Sequence, residues 1–174
     1  AKDYVNYVGD HVAIVIAETL EEAKNAAELV NVSYKVKKAV VNTADAIKSE
    51  SIHEGIEQNL CFDFILGDKM KTESAFAAAD KIIKLNLRNN RLIPNAMEPR
   101  ACIGDYNTAT DDLTLYTTSQ NPHLSRLVLS AFGGIHPEHK FRVVAPDVGG
   151  GFGSKIYAYA EDAVVAWASR KIER

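Results

Sequence analysis

The sequence predicts an α+β fold, and three observations support this prediction. Residues 1–48 alternate between strand-like and helix-like patterns, residues 81–117 contain several β-rich runs, and residues 141–170 pass from a strand through a glycine-rich turn into a helix. With 174 residues and 47% hydrophobic composition, the chain can bury one good core or two small ones.

The first part of the chain is predicted to form a strand, a helix and a second strand. Residues 11–17 are rich in Val and Ile, residues 20–30 repeat alanines at helical spacing, and residues 30–36 are again β-rich. Thr19 and Glu22 have the spacing of a capping box at the helix start. Because such a unit leaves sheet edges unpaired, it needs further strands.

Residues 49–66 carry few periodic apolar positions and are predicted to be a linker. A helix is predicted over residues 71–80 and a strand over residues 81–87. Residues 101–106 and 113–117 bracket a polar turn and predict a hairpin. We expect these three strands to share one sheet.

The last third of the chain has clear helix signals. Asn121 followed by Pro122 predicts a helix start, with the Asn side chain as the cap, and Gly133-Gly134 predicts its end. A strand is predicted over residues 141–144 and a further helix over residues 159–170.

Bulk properties narrow the class of protein. A formal net charge of -3 gives no reason to expect nucleic acid or an anionic membrane as a partner. Cys61 and Cys102 stand far apart, and the five histidines show no metal-ligand spacing, so no metal-binding residue is predicted. The longest apolar run is much too short to span a bilayer, and we expect a cytoplasmic protein with no transmembrane segment.

A glycine cluster at residues 149–153 is the most informative feature. Glycines between a strand and a helix let backbone amides approach an anion, although the order Gly-Ser-Lys differs from that of a P-loop. The cluster is therefore either a loop that binds a ligand or a tight packing turn. Phe152 within it is expected to enter a pocket or a core.

Two polar residues are further candidates. Gln120 lies where a predicted strand meets a helix start, so it either faces a ligand or is an ordinary loop amide. Glu98 lies between apolar neighbours, and we expect it to form a structural ion pair with Arg100 or another arginine.

Taken together, four stretches resemble the xanthine oxidase type of molybdenum hydroxylase, in order and spacing. They are residues 7–13, 90–100, 118–123 and 143–155. The resemblance implies three parts: the end of an α/β hammerhead domain over residues 1–48, a linker over residues 49–66, and the first part of a molybdopterin-binding α+β domain over residues 67–174. It also implies that the chain is an internal part of a longer large subunit and that it is inactive, without cofactor, on its own.

The same resemblance implies the site residues. Gln120 matches the glutamine that contacts the apical oxo ligand of molybdenum, and the segment around Phe152 matches the loop beside the metal and its pterin. Gln120 and Phe152 are thus the implied catalytic residues. The implied cofactor-binding residues are Gln120, Gly150, Gly151, Phe152 and Gly153.

Substrate and partners follow from the branch of the family. Ile156 stands where purine-oxidising members carry a glutamate, and the segment is most similar to the carbon monoxide dehydrogenase large chain. That branch implies oxidation of carbon monoxide with water, a cytosine dinucleotide form of molybdopterin, and copper on a loop farther along the chain. It further implies FAD on a medium subunit and 2Fe-2S clusters on a small one, in a dimer of heterotrimers.

Other interpretations of the function of this chain stay open. Aldehyde- or heterocycle-oxidising relatives share much of the pattern. From the residues alone, the chain could instead be a phosphate- or nucleotide-binding module built on the glycine turn, or a structural domain that docks another subunit.

Overall fold

A computed structural model describes residue 1 and residues 3–174. The chain divides into two compact units, Ala1–Asn86 and Leu87–Arg174. The described elements are helices and one three-stranded sheet, which confirms the predicted α+β class. The boundary between the two units lies between Asn86 and Leu87. The linker over residues 49–66 stays a prediction.

The first unit contains helices joined by irregular segments. The helices are α1 (Leu20–Glu28), α2 (Thr43–Ala46), a 3₁₀ turn (Glu57–Asn59) and α3 (Lys69–Ala78). The predicted capping box starts α1, with Thr19 Oγ1 accepting from Glu22 N at 3.2 Å and Glu22 Oε2 accepting from Thr19 N at 3.0 Å. α3 begins two residues before its predicted start because Asp68 caps it.

Three of the strand predictions were wrong, those for residues 11–17, 30–36 and 81–87. No strand is assigned to any of these segments within the described residues, and all three lie outside the sheet. Their apolar side chains remain largely exposed, as at Ile14 and Ile83. The β-rich composition is real, but a strand forms only where a partner strand satisfies its backbone groups.

The second unit is built on a sheet of order β1-β2-β3. β1 (Cys102–Asn107) pairs antiparallel with β2 (Asp112–Thr117), which confirms the hairpin. The third strand is β3 (Phe141–Val144), not the predicted segment 81–87, and it runs parallel to β2.

Between β2 and β3 the chain forms α4 (Pro122–Leu127), which continues into a π-helical turn (Val128–Phe132) ended by Gly133. A 3₁₀ turn (Glu138–Lys140) leads to β3. Asn121 occupies the predicted cap position, but its side chain makes no capping hydrogen bond. Instead, Asn121 N donates to Ser119 Oγ at 3.0 Å, which fixes the turn after β2.

The core of the second unit lies between the sheet and α5 (Ala160–Ile172). Its buried apolar members are Leu113, Leu115, Leu129, Phe141 and Ala166. Thr117 Oγ1 donates to Asp162 Oδ1 at 2.8 Å in a buried contact, so the end of β2 is tied to the first turn of α5. The loop that joins β3 to α5 is therefore anchored at both ends.

Candidate functional site

The parallel pairing of β2 and β3 brings two loops to one edge of the sheet. Leu113 pairs with Phe141 and Tyr116 with Val144, so both strands end side by side. The turn with Gln120 follows β2, and the glycine loop follows β3. Because carboxyl ends of parallel strands share an edge, the strand order explains why these distant segments meet.

Gln120 is held by the glycine loop through its side chain and its backbone. Its Oε1 accepts from Gly153 N at 3.1 Å and from Lys155 N at 3.2 Å. Its backbone N donates to Lys155 O at 2.8 Å. Since Oε1 has two N–H donors, the orientation of the carboxamide is fixed.

A third segment, residues 96–98, closes the site through Glu98. Its Oε2 accepts from Gly149 N at 2.8 Å and from Lys155 Nζ at 2.7 Å. Lys155 is only 2% exposed. A buried ammonium is stable only when it is paired, and Glu98 provides that pairing.

The hydrogen bond from Lys155, and then the one from Gly149 N, lowers the pKa of the Glu98 carboxyl below its ordinary value of 4.5. Glu98 is therefore a carboxylate at neutral pH. The expected pairing of Glu98 with an arginine was wrong, since Arg100 pairs with Glu161 at 3.3 Å and lies over the Tyr159 ring, 3.5 Å from its centroid.

Gly151 shows how closely the loop approaches Gln120. A Cβ at this position would lie 2.5 Å from Gln120 Cδ and 2.7 Å from Cγ, and closer still to Oε1. Only glycine allows the observed contact without moving the glutamine side chain.

The site leaves hydrogen-bond donors free. Among the residues that the structure describes, the backbone N–H groups of Gly151 and Phe152 have no acceptor, and Gln120 Nε2 has none either. All three donors belong to the segments that meet at this edge. A ligand with oxygen or unprotonated nitrogen acceptors, such as a pterin or an oxo group, fits this donor set.

Most of the implied site residues come together as the motif suggested. Gln120 lies against Gly151 and Gly153, and the next glycine, Gly150, has φ +95°. Phe152 differs from the expectation, since it is 75% exposed and enters neither a pocket nor a core of the described chain. Whether these residues bind a cofactor stays a prediction.

The sequence did not identify the Glu98–Lys155 pair as part of the site. The two residues are 57 positions apart, and a lysine at the end of a glycine motif is usually solvated. The available signal was a carboxylate flanked by Met97 and Pro99, which indicated that Glu98 needed a partner.

Two general findings concern the described residues. They contain no group of three or more His, Cys, Asp or Glu side chains that could hold a metal ion. None of their helices is both long enough and apolar enough to pass through a membrane.

Comparison with known families agrees with this geometry. Residues 52–174 match the molybdopterin cofactor-binding domain, and residues 1–38 match the a/b hammerhead domain of aldehyde oxidase and xanthine dehydrogenase. The chain therefore belongs to the molybdopterin-binding large-subunit family of xanthine oxidase type.

Individual relatives have related activities. The chain is 35% identical over 173 residues to the carbon monoxide dehydrogenase large chain of Hydrogenophaga pseudoflava, covering 91% of this chain and 21% of that protein. It is 31% identical over 180 residues to the nicotine 6-hydroxylase large subunit of Paenarthrobacter nicotinovorans, covering 99% and 21%.

A solved structure shows the same fold. Reconstituted CO dehydrogenase from Oligotropha carboxidovorans superposes with a TM-score of 0.80 at 32% identity, covering 88% of this chain and 21% of that one. The chain thus spans about a fifth of the length of the relatives that it matches.

Proposed function

We propose that this chain forms part of the molybdenum-cofactor site in a large subunit that oxidises carbon monoxide to carbon dioxide with water. The observation that carries the proposal is the fixed carboxamide of Gln120. Its oxygen is engaged by Gly153 and Lys155, so its Nε2 is the atom left to donate to a ligand.

Gln120 and the glycine loop have separate tasks in this proposal. Gln120 would hold the cofactor through its Nε2 donor, because its Oε1 is engaged by the loop. The N–H groups of Gly151 and Phe152 and the exposed Phe152 ring would help to hold the cofactor, the amides as donors and the ring as apolar surface. The bound molybdenum cofactor supplies the two-electron oxidation in which water provides the added oxygen.

The substrate assignment rests on two observations. Ile156 cannot hydrogen-bond a purine, and a carbon monoxide dehydrogenase large chain is among the relatives that are at least 30% identical. By analogy with that branch, we propose a cytosine dinucleotide cofactor and a copper-binding loop beyond residue 174. We also propose medium flavin and small iron-sulfur subunits, a dimer of heterotrimers and a cytoplasmic location.

Oxidation of an aldehyde or a heterocycle is the second candidate within the same chemistry. The 31% identity to a nicotine 6-hydroxylase large subunit over nearly the whole chain favours it. The proposed tasks of the site residues are the same for this candidate, because the proposal assigns them to the cofactor rather than to the substrate.

The experiment is dye reduction by the complete subunit, co-expressed with its partners, with carbon monoxide, a panel of aldehydes and nicotine offered separately. Activity with carbon monoxide establishes the proposed substrate. Activity with aldehydes or nicotine alone keeps the cofactor site and rejects that substrate.

A variant pair tests the site itself. Gln120→Met keeps the side-chain length but removes the Nε2 donor together with the Oε1 acceptor that holds the glycine loop. We therefore expect turnover to fall by at least about a hundredfold, the loss typical of removing one preorganised donor alone. Asn121→Ala, whose side chain makes no capping bond, is the control and should leave turnover unchanged. Equal turnover in wild type and Gln120→Met would refute the assigned role.

The unpaired amides of Gly151 and Phe152 also suit a phosphate, which favours a nucleotide-binding module as a different class of function. Saturable binding of a nucleotide to the cofactor-free protein, without molybdenum in the purified protein, would support that class. A purely structural domain would bind neither a nucleotide nor the molybdenum cofactor.

A further inference from the structure

We infer that Glu98 and Lys155 form a positioning pair, which holds residues 149–155 against Gln120 and so sets the orientation of its carboxamide. The inference rests on the proposed function of Gln120 and extends it to two residues that donate nothing to the ligand themselves. Four hydrogen bonds and the burial of Lys155 carry it.

One carboxylate oxygen ties both ends of the glycine loop. Glu98 Oε2 accepts from Gly149 N at 2.8 Å and from Lys155 Nζ at 2.7 Å. The seven-residue segment from Gly149 to Lys155 is therefore bound at both ends to a single atom. Such a closed arrangement restricts the loop far more than either contact alone would.

Lys155 connects this closure to Gln120. Its side chain bonds Glu98, while its backbone N donates to Gln120 Oε1 at 3.2 Å and its backbone O accepts from Gln120 N at 2.8 Å. A shift of Lys155 must consequently move the acceptor and donor groups that hold the glutamine.

Burial makes the pair resistant to rearrangement. The Lys155 side chain is 1% exposed, and its ammonium has no carboxylate other than Glu98 within ion-pair distance among the described residues. Leaving that charge unpaired is costly, so the ammonium keeps the loop at Glu98.

The test uses the cofactor-free complete subunit, and it measures amide hydrogen exchange in Glu98→Gln and Lys155→Met. We expect the amides of Gly153 and Lys155 to exchange at least about tenfold faster in both variants, while the β2 amides keep their protection. Glu138→Gln is the matched control, because Glu138 pairs with Arg126 at 3.0 Å on the exposed surface of the same unit. It should leave exchange in the loop unchanged.

A second readout separates positioning from simple stabilisation. In the cofactor-loaded subunit, Glu98→Gln should lower kcat, yet cause no further loss when it is combined with Gln120→Met. A residue that acts only through Gln120 loses its effect once that side chain is gone. Additive losses, or faster exchange of β2 amides in Glu98→Gln, would overturn the inference.

The outcomes distinguish this inference from the proposed function. If Gln120→Met leaves turnover intact while Glu98→Gln still accelerates exchange at Gly153, the proposed function fails and the loop closure stands. If Gln120→Met abolishes turnover but neither pair variant changes exchange or kcat, the closure fails and the proposed function stands.

Discussion

Substitution of Gly151 by alanine should displace Gln120 without straining the loop backbone. The new Cβ would lie 2.5 Å from Gln120 Cδ and 2.7 Å from Cγ, distances that require a shift. The obstacle is the end of a flexible side chain, so we expect the glutamine to move away while the loop stays in place.

The cost follows from the contacts that this movement breaks. Gln120 Oε1 loses its hydrogen bonds from Gly153 N and Lys155 N. At about 0.5–1.5 kcal/mol of net stability each, Gly151→Ala should lower the free energy of unfolding by about 1–3 kcal/mol. Urea unfolding followed by fluorescence of Trp167, the single tryptophan, measures this difference in the second unit.

A double-variant cycle tests the reasoning. Gln120→Ala removes all three atoms that the new Cβ would meet, so Gly151→Ala should cost almost nothing in that background. Gly153→Ala is the control for backbone strain, since Gly153 has φ +92° with open space around its Cβ position. Additive costs of Gly151→Ala and Gln120→Ala would show that the glutamine is not the obstacle, and would refute the argument.

Three further predictions concern charge, thiol reactivity and packing. The lowered pKa of Glu98 means that its stabilising contribution is fully present above its ordinary value of 4.5 and is lost as pH falls through the lowered value. Urea midpoints of wild type should therefore drop more steeply than those of Glu98→Gln between about pH 5 and pH 3; parallel curves would contradict this. Burial, followed by the nearby Asp162 and Glu161 carboxylates, raises the pKa of the Cys102 thiol from 9.0 to about 11. In the variant Cys61→Ser, where Cys102 is the remaining thiol, alkylation of Cys102 near pH 8 should therefore be about a hundredfold slower than that of an ordinary thiol. Equal alkylation rates would exclude a buried environment for Cys102. Gly104→Ala would place the new Cβ 2.7 Å from Ser169 Cβ and 2.9 Å from Val165 O. This clash should lower the free energy of unfolding of the second unit by about 1–3 kcal/mol, measured in urea. An unchanged free energy of unfolding would show that α5 can move away from β1.

The sequence predicted most of the second unit because its signals are local. Asn121-Pro122 marks a helix start, Gly133 an end, and the polar turn before Leu113 a hairpin, each through the conformational preferences of a few neighbouring residues. The same dependence on neighbouring residues explains why three of the strand predictions were wrong. A β-rich run such as residues 11–17 has the right composition, yet pairing depends on a partner that composition does not specify.

The site was partly predictable for the same reason. The glycine-rich segment 149–153 indicated a loop whose backbone amides could bind a ligand, and the amides of Gly151 and Phe152 have no acceptor within the described part of the chain. Glu98 and Lys155 were beyond local reasoning, because their contact depends on how three loops meet at the edge of the sheet. An ion pair 57 residues apart leaves no periodic signal in one sequence.

The hydrogen bonds that hold residues 149–155 at both ends explain why a glycine-rich site can still be ordered. Glycine gains access to unusual backbone conformations but carries the greatest conformational entropy in the unfolded chain, so a glycine loop needs external restraint. Here the restraint comes from residues outside the motif: Gln120 holds Gly153, Glu98 holds Gly149, and Lys155 is held by both. The glycines therefore provide the close approach, while the carboxylate, the lysine and the carboxamide provide the rigidity that a preorganised donor set requires.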